Sequence, residues 1–112
     1  MAADFGTEIR VVSWSEIGRV ISNVATLVNA TSLGMVGKPK LLLDLEELSR
    51  KTLVSDLVYT PLETDLLRVA KKKGCRTVDG LGMLINQAVP GFSRWFGITP
   101  SVDQTTRDII MT

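Results

Sequence analysis

Four short β-prone runs alternate along this chain with segments that carry helical periodicity or helix-end signals, and that alternation limits the fold more than any other feature. The runs are Ile9 to Ser13, Thr26 to Asn29 (continuing from Val24), Leu53 to Tyr59 with Asp56 interrupting it, and Arg76 to Asp79. The order reads strand, helix, strand, loop or helix, strand, helix, strand, helix, helix. Strands separated by helical connections pair in parallel through right-handed crossovers, so the expected class is α/β, with helices layered on a parallel sheet. At 112 residues the chain fits one domain, without internal repeats.

Helix punctuation supports the same order. Ser13 and Glu16 stand at capping-box spacing before a short helix. A loop rich in Gly, Lys and Pro is expected from Ala30 to Lys40, and the leucine-dense stretch Leu41 to Leu48 fits either a short helix or an extended segment. After Pro61 a helix presents Leu66, Leu67, Val69 and Ala70 to the core. It ends in Lys71, Lys72 and Lys73 before Gly74, cations at the negative helix terminus and glycine at C′, which reads as a solvated helix end and not a phosphate site. Gly80 opens a long helix with Leu81, Leu84, Ile85, Ala88, Phe92, Trp95 and Phe96 expected on its core side, bent at Pro90 and closed by Gly97. Ser101 and Gln104, again at capping-box spacing, start a last helix expected to bury Val102, Ile109 and Ile110.

Composition removes several function classes. Thirteen basic against twelve acidic residues, a net charge of +1, give no electrostatic reason to expect nucleic acid or a membrane surface as partner. No apolar run approaches membrane-spanning length, and no signal peptide is expected. Cys75 is the only cysteine, so no disulfide forms within the chain, a reducing compartment is expected, and the location reads as cytoplasmic. The chain has no histidine, the commonest general base and a common metal ligand; no metal site is expected, and proton transfer would fall to Lys, Tyr, Asp or Glu.

In an open parallel sheet, ligands bind beyond the carboxyl ends of the strands. Three strands here end in chemistry-bearing segments: Asn29 to Met35, Asp56 to Pro61, and Asp79 to Leu84. On the helix after Asp79, Gly80, Met83, Gln87 and Gly91 follow at spacings that share one face, distinct from the core face. Two glycines permit close approach, the thioether is adaptable, and the amide both donates and accepts hydrogen bonds. Gly80-Leu81-Gly82 imitates a dinucleotide fingerprint, yet Ile85 occupies the third glycine position and no acidic ribose partner follows, so it is not read as a pyrophosphate loop.

NATSLGM at 29–35, DLVYTPLETDLL at 56–67 and DGLGMLINQAVPGF at 79–92, followed by Trp95 and Gly97, together resemble the shikimate dehydrogenase family, in that order and at family-like spacing. The resemblance runs from about Phe5 to the last helix. It implies a partial Rossmann-like parallel sheet with flanking helices and C-terminal helices, residues 1–112 being the C-terminal portion of an NADP-binding domain and the N-terminal catalytic domain being absent. By that resemblance, hydride passes between the nicotinamide of NADP and the carbon linking 3-dehydroshikimate to shikimate. Asn29 would order its loop, with Thr31 and Ser32 near the cofactor. Leu57 would lie beside the nicotinamide, Gly80 and Met83 would flank its ring, and Tyr59 and Gln87 would reach the substrate. The family's catalytic lysine and aspartate, its carboxylate-gripping serines, its pyrophosphate loop and its basic 2′-phosphate segment find no counterpart here, so no catalytic residue is assigned to this chain. Residues 1–6 resemble the end of a family helix, with Met1 inside the pattern.

The expectation is therefore a segment of an NADP-dependent shikimate dehydrogenase without turnover of its own. A stand-alone binding or subunit-interaction module is the alternative from another class, and a quinate dehydrogenase using NAD the alternative within the enzyme class. Half of a sheet leaves an edge and an apolar face uncovered, so a homo-oligomer or a partner in trans is expected.

Overall fold

The computed structural model describes Asp4 and residues 6–111; most of the helix end expected over residues 1–6 lies outside the described residues. Three strands, β1 (Thr26–Asn29), β2 (Leu53–Asp56) and β3 (Arg76–Val78), form a parallel sheet in the order β1-β2-β3. Thr26 pairs with Leu53 and Asn29 with Asp56, while Leu53 pairs with Arg76 and Ser55 with Val78. Parallel pairing in this register brings all three carboxyl ends to one edge, which is where the expected site segments begin. The α/β class stands as read from the sequence.

Among the described residues the α-helices are α1 (Ile17–Val20), α2 (Asp65–Lys72), α3 (Gly80–Phe96) and α4 (Gln104–Met111). The core lies where α2 covers β2. Val54 meets Leu66, Leu67 and Ala70, joined by Ile21, Leu45, Leu48 and Cys75. Burying a leucine in such a cluster stabilises by about 2 kcal/mol. Leu41 to Leu48 is neither helix nor strand; it crosses the core irregularly, with Leu45 and Leu48 inserted, and turns at Glu46 and Glu47. Leucine content secured burial there, but no periodicity fixed a regular backbone.

Helix α2 ends as its sequence dictates. Gly74, at φ +83°, donates its N–H to Lys71 O (3.0 Å) and Cys75 donates to Ala70 O (3.0 Å), the paired bonds of a Schellman termination. At the other end Thr64 is the N-cap, its hydroxyl accepting from Leu67 N–H.

Several expectations fail for identifiable reasons. Ile9 to Ser13 forms no strand; Val11 and Ile9 are exposed, and nothing in the sheet pairs with them. The second strand stops at Asp56 instead of reaching Tyr59, because the Asp56 carboxylate takes the Val58 N–H that a ladder would use. The short helix after Ser13 is a mixture of 3₁₀ and α turns over residues 14–23, opened by the Glu16 carboxylate accepting from the Ser13 N–H (3.2 Å) and hydroxyl (2.7 Å). Helix α3 runs unbroken through Pro90 to the left-handed Gly97, but only its first half packs. Leu81 and Ile85 are buried and Leu84 is half-buried, whereas Ala88, Phe92, Trp95 (81% exposed) and Phe96 stand in the open. Seventeen residues of helix outrun a sheet whose last strand has three. Helix α4 is capped by Asp103, not Ser101: its Oδ1 accepts from Thr106 N–H (2.9 Å) and hydroxyl (3.1 Å). Val102, Ile109 and Ile110 are exposed instead of buried.

Candidate functional site

The carboxyl edge of the sheet is organised by a buried polar chain. Asn29 closes β1, and its Oδ1 accepts from Thr31 N–H (3.1 Å) and the Thr31 hydroxyl (2.7 Å), folding the backbone sharply after the strand. Its Nδ2 donates to Leu33 O (3.1 Å) and across the sheet to Asp56 Oδ1 (3.0 Å). Asp56 Oδ1 also accepts from Val58 N–H (3.0 Å), and Oδ2 accepts from the hydroxyl of Thr64 (2.7 Å), which caps α2. Among the described residues, no buried side-chain polar atom lacks a partner. Such a network rigidifies what it joins, since breaking one bond leaves a desolvated group unpaired.

Around this network the loop and strand ends interlock. Leu57 N–H donates to Asn29 O (3.0 Å), and Val36 N–H donates to Thr60 O (2.9 Å), binding the 31–40 loop to the segment after β2. The two enclose a cleft of about 270 Å³ lined by Gly34, Met35, Lys38, Lys40, Asp56 and Thr64, among others. On the far side, Gly80 sits hard against the backbone: a Cβ there would lie 2.4 Å from Leu57 O and 2.7 Å from Val58 O. Only glycine permits that approach of α3 to the end of β2. Asp79 caps α3, accepting from Leu81 N–H (3.1 Å), and is paired with Arg107 of α4 (2.9 Å), so the last helix is latched to the amino end of α3.

The expected site residues divide into two groups. Asn29, Thr31, Ser32, Leu57 and Gly80 all belong to the carboxyl edge, with Asn29 bonded to Thr31 and Leu57 touching Gly80. Asn29 and Gly80 are buried and serve as framework, while Thr31 and Ser32 are exposed residues, the Thr31 hydroxyl donating to Asn29 Oδ1 (2.7 Å) and accepting from Leu33 N–H (3.1 Å). Met83 is exposed on α3 one turn beyond Gly80. Tyr59, half-exposed, lines a hollow of about 320 Å³ with Leu81, Ile110 and Met111, which sets the phenol beside the start of α3. Gln87 is exposed about 10 Å along α3 from Gly80, at roughly 1.5 Å per residue. Among the described residues no hydrogen bond joins Gln87 to Tyr59. Sequence reasoning missed Asp56, Thr64 and Arg107. For Asp56 a signal existed: a charged residue inside an apolar strand is buried only with compensating donors.

At this edge the exposed polar and soft groups are the Ser32 side chain and the Met83 thioether, while the Thr31 hydroxyl donates to Asn29 Oδ1 and accepts from Leu33 N–H. No glycine-rich turn leads from any of the three strands into a helix N-terminus in the manner of a pyrophosphate cradle: β1 leads into the 31–40 loop, β2 into a proline-containing segment, and β3 into Asp79-Gly80. No helix among the described residues is long and apolar enough to cross a membrane.

Comparison with known proteins gives a consistent picture. The family model for the shikimate 5′-dehydrogenase C-terminal domain matches residues 80–107. A curated NADP(+) shikimate dehydrogenase of Cereibacter sphaeroides is 52% identical over 111 residues, covering 99% of this chain and 40% of the relative. Among solved structures, a Corynebacterium glutamicum quinate dehydrogenase in complex with NAD superposes with a TM-score of 0.80 at 37% identity, over 90% of this chain and 36% of that one. A Thermus thermophilus shikimate 5-dehydrogenase in complex with NADP(H) and shikimate superposes with a TM-score of 0.73 at 35% identity, over 89% of this chain and 36% of that one. The chain thus spans about 40% of the length of the curated relatives it matches.

Proposed function

The chain belongs to the shikimate dehydrogenase family, aligned with the carboxy-terminal part of its members, and from that premise we propose that it forms the nicotinamide side of an NADP-dependent shikimate dehydrogenase and has no turnover alone. Residues 1–112 on this reading are the C-terminal portion of the NADP-binding domain, the catalytic domain being supplied by other polypeptide. NADP, when bound, supplies or takes the hydride exchanged with 3-dehydroshikimate or shikimate. This chain's own residues bind and orient. Thr31 and Ser32 offer hydroxyls at the end of β1, held there by Asn29. Leu57 and Gly80 form a backbone wall, Met83 packs against an apolar ring face, and Tyr59 and Gln87 present a phenol and an amide toward substrate.

The observation that carries this reading is the junction of the Asn29 turn, Leu57 and Gly80 at one sheet edge, made from the segments whose sequence resembles the family. The curated relatives favour NADP and shikimate over NAD and quinate. A positioned proton-transfer residue contributes about 10²- to 10⁴-fold to rate, and by the resemblance the family's catalytic lysine and aspartate find no counterpart in this chain. Purified chain, assayed for shikimate-dependent NADP reduction, is expected to give none; measurable turnover overturns the reading.

The same reading implies that other polypeptide covers this surface, as a homo-oligomer or a partner in trans. The strands β1 and β3 are half-open, with Val28 and Val78 exposed, and Trp95, Phe96, Ile98 and Ile109 stand uncovered on and after the two last helices. Light scattering of concentrated chain should show association; a stable monomer counts against it. A cytoplasmic location fits the lone Cys75 thiol, buried and donating weakly to Ser49 O.

A further inference from the structure

Asp56 is 1% exposed and is the only acidic side chain buried among the described residues. Three donors meet its carboxylate, and each heads a different part of the edge: Asn29 heads the turn that carries Thr31 and Ser32, Val58 belongs to the segment from Leu57 to Tyr59, and Thr64 caps α2. Three donors suffice to compensate a carboxylate removed from water. A carboxylate is acceptor-only and has two oxygens, so it can gather donors from three chain segments at a single point. An apolar residue at the end of β2 would pack as well but would tie none of them together.

We infer that Asp56 is the positioning residue of the cofactor edge: its two oxygens fix the Thr31–Ser32 turn, the Leu57–Tyr59 segment and the start of α2 in one mutual arrangement. The inference rests on the cofactor reading of those residues given above, but the arrangement itself can be tested without cofactor. Thr64 is the informative probe. Its hydrogen-bonded path to Thr31 runs through Asp56 and Asn29. Along that hydrogen-bonded path, a change at Thr64 reaches the Thr31 turn through the carboxylate.

Amide hydrogen exchange on the intact chain, read residue by residue, decides the matter. Asp56→Leu leaves the donors of Asn29, Val58 and Thr64 without their acceptor. With a buried polar group left unpaired, exchange at Thr31, Leu33 and Val58 should quicken by about 5- to 150-fold relative to the core amides of Leu53 and Cys75. Thr64→Val should quicken the same turn amides by a smaller factor, and Thr64→Ser, which keeps the hydroxyl, should leave them as in wild type. A residue with a merely stabilising role would instead change all amides together. Uniform loss of protection, or a Thr31 turn indifferent to Thr64→Val, overturns the inference. Should Asp56→Leu fail to fold, the two Thr64 variants decide between these outcomes by themselves. Shifts at Thr31, Ser32 and Leu57 on adding NADP to wild type report separately on the cofactor reading; their absence would count against that reading, with the exchange data still deciding Asp56.

Discussion

Replacing Gly80 with alanine should destabilise the chain although it places a better helix former in a helix. Two effects oppose each other. Alanine gains at most about 1 kcal/mol over glycine inside a helix, less at the first position. Against that, the new Cβ would lie 2.4 Å from Leu57 O and 2.7 Å from both Leu57 C and Val58 O. Favourable carbon contacts begin near 3.5 Å, so the start of α3 must retreat from β2 by about 1 Å. All three atoms are backbone, tied by the Leu57 bond to Asn29 O and the Val58 bond to Asp56, and cannot swing aside as a side chain would. Overpacking of this kind costs about 1–3 kcal/mol, and here it lies at the upper end, for a net loss of about 2 kcal/mol. Urea denaturation followed by circular dichroism measures it. Gly91→Ala is the control, because a Cβ at that position would meet nothing within 4 Å, and it should stabilise by about 0.5–1 kcal/mol. If Gly80→Ala matched or exceeded wild-type stability, the close approach of α3 to β2 would be refuted, and with it the placing of Gly80 and Leu57 in one wall.

Two further outcomes follow from single contacts. Arg107→Ala should unlatch α4 from Asp79 at a cost of about 1 kcal/mol, so that thermolysin cuts within 98–111 several-fold faster; unchanged cutting would mean the ion pair does not hold the helix. Glu16 titrates below the ordinary glutamate range because the Ser13 hydroxyl, and then the Ser13 N–H, stabilise its carboxylate. With the folded value depressed, the cap is complete above the ordinary glutamate range and is lost as pH falls through the lower folded value. Carboxyl NMR should show Ser13→Ala raising the Glu16 midpoint, and an unmoved midpoint would contradict the cap.

The legible part of this fold was punctuation and alternation. Gly74 and Gly97 end helices where local chemistry demands it, and three β-prone runs of four became the sheet. The fourth, Ile9 to Ser13, has strand composition but no neighbour to pair with, and β propensity without a partner does not make a strand. The face of α3 was legible only as far as Ile85; periodicity shows which residues share a stripe, not whether anything lies opposite. Most of the candidate edge could be placed because parallel strands deliver their carboxyl ends together. What holds that edge could not, since Asp56, Asn29 and Thr64 meet across separations of 27 and 8 residues, which no local pattern records.

The residues proposed for the nicotinamide side must lie on one edge of the sheet for any of this to hold. An isotope-labelled sample of the chain, titrated with NADP to about 10 mM to reach even a millimolar affinity, tests this directly. Amide signals of Thr31, Ser32, Leu57, Gly80 and Met83 should move together, while those at the opposite edge, Ala25, Leu53 and Arg76, stay still. Movement centred on the opposite edge, or none at any of the five, would contradict it.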